Sequence, residues 1–357
     1  MITQKGWNQN LMLSSYKKEA TYAASVTVNA TNFTSIKGHS DYDPDWADTV
    51  ENDKDTVSGA EFGTDLDIIS QGLNFTIAQP RAKPNFLIGA VAGALGSITS
   101  SQDTGYTAYE HKIVPVTVGT TLPSFNTIGK KAGLQYLHKG CKVNSVSITA
   151  EEGRPVSAEI EIIGSGDRTT NADAFVAEPS ESWMLMKNGY LWIETGANIS
   201  IAATNTQGAE DISSSTPRDM KVQVQSLTWK FMNNLEGQPG FGAENNGVFQ
   251  DLDYNQRTQE LSLTLLYDDE TDITNYLATT AFALELEVKG ALIQAGGTMY
   301  YGFTLQIPRF KLMKAPLPKG GVADRVTQEF ECDIQDDGVN DAVIFYGYNA
   351  QDAYLAA

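Results

Sequence analysis

The fold class is decided by the stretch Val156-Ser157-Ala158-Glu159-Ile160-Glu161-Ile162, in which apolar and polar residues alternate. Successive side chains of a β-strand point to opposite faces, so this stretch predicts a strand with one buried face and one solvated face. The same alternation occurs at residues 261–265 and 282–288 and, more loosely, at residues 326–334. Repetition of the pattern along the chain predicts a mainly β protein built from antiparallel strands.

Helical features are confined to two short segments. Residues 84–94 begin with a proline and end among glycines, an arrangement typical of helices. Residues 272–279 follow Thr271 and have acidic residues in their first turn, where negative charge suits the helix dipole. Within residues 222–231 the alternation changes parity at Ser226, which predicts a β-bulge or a bend there.

Size, charge and cysteine content narrow the class of protein. The chain has 357 residues, 41% of them hydrophobic, which predicts two folded domains. Its formal net charge of −19 disfavours binding to nucleic-acid phosphates or to anionic membranes. The first residues lack the apolar region of a signal peptide, so we expect a protein made in a cytoplasm, without membrane contact. Cys141 and Cys332 are far apart and are predicted to be buried free thiols.

The two halves of the chain follow one plan. Residues 73–77 parallel residues 261–265, and each segment is followed by one of the predicted helices and then by a strand. A pair of strands follows later in each half, at residues 142–163 and 310–334. The order of elements repeats although the residues differ, which indicates a duplication. We therefore predict two domains, residues 1–170 and 171–357, with the boundary in a polar stretch at residues 164–181.

A long polar stretch lies at the same place in each half, at residues 38–63 and 233–256. Loops longer than about 12–15 residues are usually functional or disordered. Two such loops at matching positions favour a function such as reaching a neighbouring subunit. In the first loop we expect Tyr42 and Trp46 to be apolar anchors, with Asp43 and Asp45 beside them.

Signatures of catalysis and of metal or cofactor binding are missing. The histidines His39, His111 and His138 do not have the spacing of metal ligands. No Gly-x-Ser-x-Gly motif occurs, and residues 129–131 (Gly-Lys-Lys) lack the other residues of a phosphate-binding loop. Residues 41–48 resemble the start of a calcium-binding loop, but Trp46 and Asn52 occupy the positions that need Gly and Glu. A solvated acidic loop explains them better. We predict no enzyme activity and no cofactor.

Two rival functions are compatible with a β-rich acidic chain. A carbohydrate-binding or adhesin module would use exposed aromatic residues such as Trp183, Tyr190 and Trp192, whose alternative role is core packing. A β-rich hydrolase would need two carboxylates facing each other in a cleft, which sequence spacing does not reveal.

The first half resembles a known family. The segment Leu122-Pro123-Ser124-Phe125 and residues 140–148 (Gly-Cys-Lys-Val-Asn-Ser-Val-Ser-Ile) are similar to a run in the major tail tube proteins of siphoviruses, the long, flexible-tailed bacteriophages. Residues 151–164 and residues 16–22 (Tyr-Lys-Lys-Glu-Ala-Thr-Tyr) continue the similarity. The resemblance covers much of residues 10–165, whereas the second half matches mainly in the order of its elements.

The resemblance implies a fold, an assembly and a set of partners. The fold would be two tandem domains, each with two packed antiparallel sheets, a short flanking helix and a long loop. Chains of this family form rings that stack into the hollow tail tube through which DNA leaves the capsid. The duplication implies trimeric rings with pseudo-hexameric symmetry. The expected partners are the tape measure, tail-tip and tail-terminator proteins, with phage DNA as non-specific cargo.

The alternating strands add a mechanism to this expectation. Acidic side chains share one face of their strand in each of three segments: Glu159 and Glu161; Glu285 and Glu287; and Glu329, Glu331 and Asp333. An ordinary solvated sheet face would look the same. The functional hypothesis is that these carboxylates line the lumen, where fixed negative charge would repel DNA phosphates and let the genome slide.

Overall fold

The fold is known from a computed structural model, which describes residues 9–39, 42–52, 66–196, 200–201, 205–213, 217–220, 222–239, 247–268, 270–314, 317–320 and 325–357. The strands of the first half are β1 (Asn10–Leu13), β2 (Thr34–Ile36), β3 (Thr49–Asn52), β4 (Leu66–Ser70), β5 (Leu73–Gln79), β6 (Gly96–Gln102), β7 (Tyr109–Pro115), β8 (Phe125–Lys131), β9 (Leu134–Glu151), β10 (Ser157–Gly164) and β11 (Arg168–Thr170). Helix α1 (Pro84–Leu95) lies between β5 and β6.

The second half has the remaining elements. Its strands are β12 (Gly189–Thr195), β13 (Ser200–Ile201), β14 (Ile212–Ser213), β15 (Arg218–Asp219), β16 (Val224–Met232), β17 (Leu235–Pro239), β18 (Phe249–Tyr254), β19 (Thr258–Leu266), β20 (Ala281–Leu292), β21 (Tyr300–Lys314), β22 (Thr327–Ile334) and β23 (Ile344–Asn349). Helix α2 (Thr271–Leu277) lies between β19 and β20. The prediction of a mainly β protein with two short helices is confirmed.

One antiparallel sheet runs through both halves. Its strand order is β5-β10-β9-β16-β19-β22-β21, and we call it the shared sheet. The halves meet where β9 pairs with β16, with Ile148 opposite Trp229 and Val146 opposite Phe231. The register of β16 shifts between Val224 and Ser226, which confirms the predicted irregularity.

A smaller sheet flanks the shared sheet in each half. The first flank sheet has the order β2-β1-β8-β9-β11, and the second has the order β15-β12-β20-β21-β23. The long strands β9 and β21 belong to a flank sheet at one end and to the shared sheet at the other. β9 turns between the sheets near Gly140, whose φ of +61° favours glycine. A Cβ atom there would come within 2.8 Å of the Tyr22 side chain.

The matching orders support the duplication, with one insertion. The hairpin β6–β7 interrupts the first half, and β7 pairs with β23 of the second half. Strands of the two halves therefore pair along β9–β16 and along β7–β23, and one hydrophobic cluster extends across both halves. The division into residues 1–170 and 171–357 as folding units stays a prediction.

The two helices have different surroundings. Helix α1 is buried almost throughout and packs against β9, β7 and β23, whereas no residue of α2 is buried. The N-terminus of α1 is covered by the connection between the halves. Glu181 accepts a hydrogen bond from the backbone N–H of Asn85 at 2.8 Å, and Lys83 forms an ion pair with Glu178. The connection is thus packed against the first half along residues 175–183.

Candidate assembly surface

The shared sheet has one apolar and one polar face. Side chains such as Ile160, Trp229 and Phe330 point into the core, and their neighbours along each strand point away from it. The register brings the polar residues side by side, because Glu161 lies opposite Ser145, Thr228 opposite Ser262, and Ser262 opposite Glu331. These pairs form a continuous polar surface, which we call the polar face.

Five of the predicted acidic residues lie on the polar face: Glu159, Glu161, Glu329, Glu331 and Asp333. Glu151 and Glu260 join them, and the lysines on this face are Lys230 of β16 and Lys311 and Lys314 of β21. Lys314 forms an ion pair with Glu331 at 2.8 Å. In the described strands, seven carboxylates against three lysines leave this face net acidic. An exposed ion pair such as Lys314–Glu331 contributes little to folding stability. Stability of the subunit therefore does not explain why this face carries so many charged side chains.

The structure separates Glu285 and Glu287 from this set. Both are buried, at 0% and 1% exposure, on β20 in the second flank sheet. Backbone N–H groups of Gly208 and Asp211 donate to them from a segment that covers the strand. The expectation that these two residues share a lumen surface with the other five is therefore wrong. Alternation did not reveal the difference because β20 is buried on both faces.

A two-stranded hairpin is associated with each long polar stretch: one begins within residues 38–63 and ends at residue 70, and the other lies within residues 233–256. Arm 1 pairs β3 with β4, and arm 2 pairs β17 with β18. The arms touch where the Gln71 N–H donates to Gly247 O at 2.8 Å. Arm 1 exposes three aliphatic side chains, Val50, Ile68 and Ile69, each about half accessible at 47%, 49% and 51%. Exposed aliphatic residues grouped on one hairpin are typical of a contact surface.

Both arms are fastened to their own chain by charged residues that the sequence did not single out. The guanidinium of Arg168 donates twice to the Asp48 carboxylate, at 3.0 and 2.7 Å. The buried ammonium of Lys142 donates to Asp251 at 2.8 Å and to the Leu252 carbonyl at 2.7 Å. Lys142 and Arg168 belong to strands of the first flank and shared sheets, so both arms are positioned by the first half.

The predicted loop residues have different positions. Tyr42 is buried against Phe75, and its hydroxyl lies 3.1 Å from His138 Nε2, so it anchors the loop to its own chain and not to a neighbour. A Cβ atom on Gly129 would lie 2.1 Å from the Tyr42 ring, which explains the glycine. Trp46 is 42% exposed.

The acidic residues of this loop are bonded within the chain. Asp43 forms an ion pair with Lys131 at 2.7 Å, and Asp45 exchanges two backbone hydrogen bonds with Asn74. Asp41 lies outside the described residues. Among the residues that are described, no group of side chains could hold a metal ion.

Both cysteines and two of the histidines are buried in the core. Burial raises the pKa of each thiol, Cys141 and Cys332, to about 12, and both are free and buried as predicted. Burial lowers the pKa of His111 and of His138 to about 4, so both imidazoles are neutral at pH 7. None of the helices in the described part of the chain is long and apolar enough to cross a membrane.

The comparison with protein families decides between the remaining functions. A family model described as phage tail tube protein matches residues 15–334. The chain belongs to the phage tail tube protein family. As a tail tube protein it is a structural component of the virion tail, and the expectation of a non-catalytic role agrees with this membership. No curated protein matches the chain.

The aromatic residues of the rival carbohydrate-binding hypothesis have structural roles in this tail tube protein. Trp192 is buried and stacks on Tyr190 with a centroid distance of 5.5 Å. Trp183 is 45% exposed, and the Arg81 guanidinium lies over its ring at 4.2 Å. These residues do not form an open aromatic platform for a sugar.

Proposed function

We propose that this tail tube protein polymerises into trimeric rings, that the rings stack into the hollow tail tube of a siphovirus, and that DNA leaves the capsid through it. The observation that carries the proposal is the shared sheet, which crosses both halves with a continuous polar, net acidic face. The protein would be made in the host cytoplasm and would meet the tape measure, tail-tip and tail-terminator proteins in the growing tail.

We expect the contact between neighbouring chains to have the same geometry as the β9–β16 pairing that joins the two halves of one chain. Within the chain, β16 adds to the free edge of β9. β21 is the counterpart of β9 in the second half, and its residues 312–314 pair with β22 on one side. At the other end of the sheet, the chain after β2 runs beside β5, because Gln79 Nε2 donates to the Lys37 carbonyl at 2.9 Å and Asp45 bonds to Asn74. That chain is the counterpart of β16.

Pairing of these two edges closes a ring. The β21 edge of one copy would accept the residues beside β5 of the next copy, which repeats the β9–β16 contact between chains. Closure removes two open sheet edges, which otherwise promote uncontrolled association. Three chains with two repeats each give six similar junctions, in agreement with a pseudo-hexameric ring.

The polar face would line the lumen of such a ring. Its apolar opposite face is already buried in the core, so the polar face is the side of the closed sheet that stays free. Fixed carboxylates at Glu159, Glu161, Glu329, Glu331 and Asp333 would repel the phosphate backbone of the passing DNA. The three lysines on this face reduce the repulsion without reversing its sign.

Cysteine labelling tests the lumen assignment. Concentrated protein should form hollow rods under negative-stain electron microscopy. Glu331→Cys, on the polar face, should react with a bulky maleimide in the free subunit and become protected in the rods. Ser101→Cys, on the exposed strand β6 of the β6–β7 hairpin that pairs with β23, is the matched control and should react in both states. The buried native thiols keep the background low. Full labelling of the Glu331→Cys rods would place this face outside the lumen.

Arm 1 is proposed to contact a neighbouring subunit or ring. Thr49 and Ser70 lie opposite each other, so residues 50–69 can be replaced by an Asn-Gly turn that keeps Tyr42 in the core. We expect a folded subunit with an unchanged circular dichroism spectrum that forms no long rods, because the exposed Val50, Ile68 and Ile69 are lost. Rods of normal length and number would contradict the role of arm 1. Removing all of residues 38–63 would be a poorer test, since it also deletes buried Tyr42.

A further inference from the structure

A short segment covers two buried carboxylates on the second flank sheet. We call residues 205–213 the latch. The backbone N–H of Gly208 donates to both carboxylate oxygens of Glu287, at 2.9 and 2.8 Å, and the N–H of Asp211 donates to Glu285 Oε2 at 2.9 Å. The Ile212 side chain is buried against Trp192 and Ala283. The latch is thus held by few apolar contacts and by several hydrogen bonds.

Side-chain hydrogen bonds complete the attachment. Gln207 Nε2 donates to the Tyr300 carbonyl at 2.9 Å, and Gln207 Oε1 accepts from the Tyr300 N–H at 2.8 Å. Asn205 Nδ2 donates to Thr304 Oγ1 at 3.1 Å. Glu285 and Glu287 lie on β20, and Tyr300 and Thr304 lie on β21, so the latch covers one face of this strand pair.

Two buried acceptors meet beneath the latch without a donor. Glu285 and Gln306 lie opposite each other on β20 and β21, and both are 0% exposed. Glu285 Oε1 and Gln306 Oε1 have no hydrogen-bond partner among the described residues. An ionised carboxylate oxygen that is buried without a donor is costly, and protonation of Glu285 removes that cost. The geometry therefore favours a neutral carboxylic acid at Glu285.

The electrostatic surroundings act in the same direction. Burial and, to a smaller extent, the nearby charges of Asp211 and Glu287 together raise the pKa of Glu285 to about 8, against the hydrogen bond from the Asp211 N–H, which lowers it. The titratable and charged groups around Glu285 are Glu287 and Lys289 on β20, Glu194 on β12, Glu110 and Lys112 on β7, Tyr346 and Tyr348 on β23, and Glu210 and Asp211 on the latch. Six carboxylates including Glu285 thus face two lysines.

We propose that residues 205–213 are a pH-dependent latch, closed on β20 while Glu285 is protonated and released when Glu285 and its acidic neighbours are all ionised. This device is independent of the tube-forming function. The direction follows from linkage, because the closed state holds the proton more tightly than an open one. Closure is fully stabilised below the ordinary carboxyl pKa of 4.5 and is lost as the pH rises through the raised pKa of about 8.

Hydrogen exchange measures the latch directly. The protection factor of latch amides, corrected for the intrinsic exchange rate, should fall by on the order of ten-fold or more between about pH 6.5 and about pH 9. Glu285→Gln stays neutral and offers an N–H₂ donor to Gln306, so its protection should be nearly constant over this range. Glu159→Gln, an exposed residue of the polar face, is the matched control and should fall as the wild type does.

A second variant covers the case in which Glu285→Gln does not fold. Asp211→Asn keeps the size of the side chain and removes one of the charges beside Glu285, so its loss of protection should be smaller than that of the wild type. Constant protection in the wild type would overturn the proposal. An equal fall in the wild type and in either latch variant would overturn it as well.

Discussion

Trp229→Ala is expected to lower the free energy of unfolding of the whole chain by about 3–5 kcal/mol, the range for a large aromatic residue removed from a core. Trp229 has 0% exposure and lies between Ile148 of β9 and Leu261 of β19. Its indole N–H also donates to Gln259 at 3.2 Å. The substitution thus opens a cavity at the junction of the two halves, and chemical denaturation followed by circular dichroism measures the loss.

Trp46→Ala is the matched control. Trp46 is 42% exposed, contacts Tyr136 edge-on and lies under the Arg168 guanidinium, so its loss should lower the free energy of unfolding by about 1 kcal/mol or less.

The shape of the Trp229→Ala unfolding curve also tests the domain division. A single transition shifted as a whole indicates one cooperative unit. Two transitions, of which only one moves, would show that residues 1–170 and 171–357 unfold independently.

Alternation in the sequence was sufficient to predict β10, β19 and β22 of the shared sheet and the face on which their carboxylates lie. Glu159 and Glu161 are separated from Ile160 and Ile162 by strand geometry alone, so the face they share needs no tertiary information. The order of elements likewise predicted the duplication. These properties are local or repeat along the chain, which is why they are accessible without a structure.

Burial on the second side of a strand is a tertiary property and was not predictable. Glu285 and Glu287 have the same alternating context as Glu159 and Glu161, but the latch covers them from a distance of more than 70 residues along the chain. In the sequence, Tyr42 is an aromatic residue of a polar loop and would be expected to be exposed. In the structure its ring packs directly on Gly129, where any side chain would clash with it. The ion pairs of Lys142 and Arg168 that position the arms could not be predicted from a local sequence motif, because their partners lie more than 100 residues away along the chain.

Met313→Pro is expected to abolish tube formation while leaving the subunit folded. Met313 is 64% exposed on β21, and the pairing of β21 with β22 shifts register between Leu312 and Lys314, so it skips this residue. Proline has no N–H and disrupts pairing on the edge to which it is added. If that edge receives the next chain, the ring cannot close. Negative-stain microscopy should show no rods, with a circular dichroism spectrum like that of the wild type.

Val118→Pro separates this effect from a general effect of proline. Val118 is 84% exposed in a turn where the Thr120 N–H donates to the Thr117 carbonyl at 3.0 Å, and proline is favoured at the second position of such turns. This variant should form normal rods. Rods from Met313→Pro would instead place the chain-to-chain contact elsewhere, and the β9–β16 junction would then be a feature of the single chain without a counterpart between chains. If Met313→Pro forms no rods and Val118→Pro does, neighbouring chains of the ring are joined by a contact like the β9–β16 junction, because the β9 and β21 edges are counterparts in the two halves.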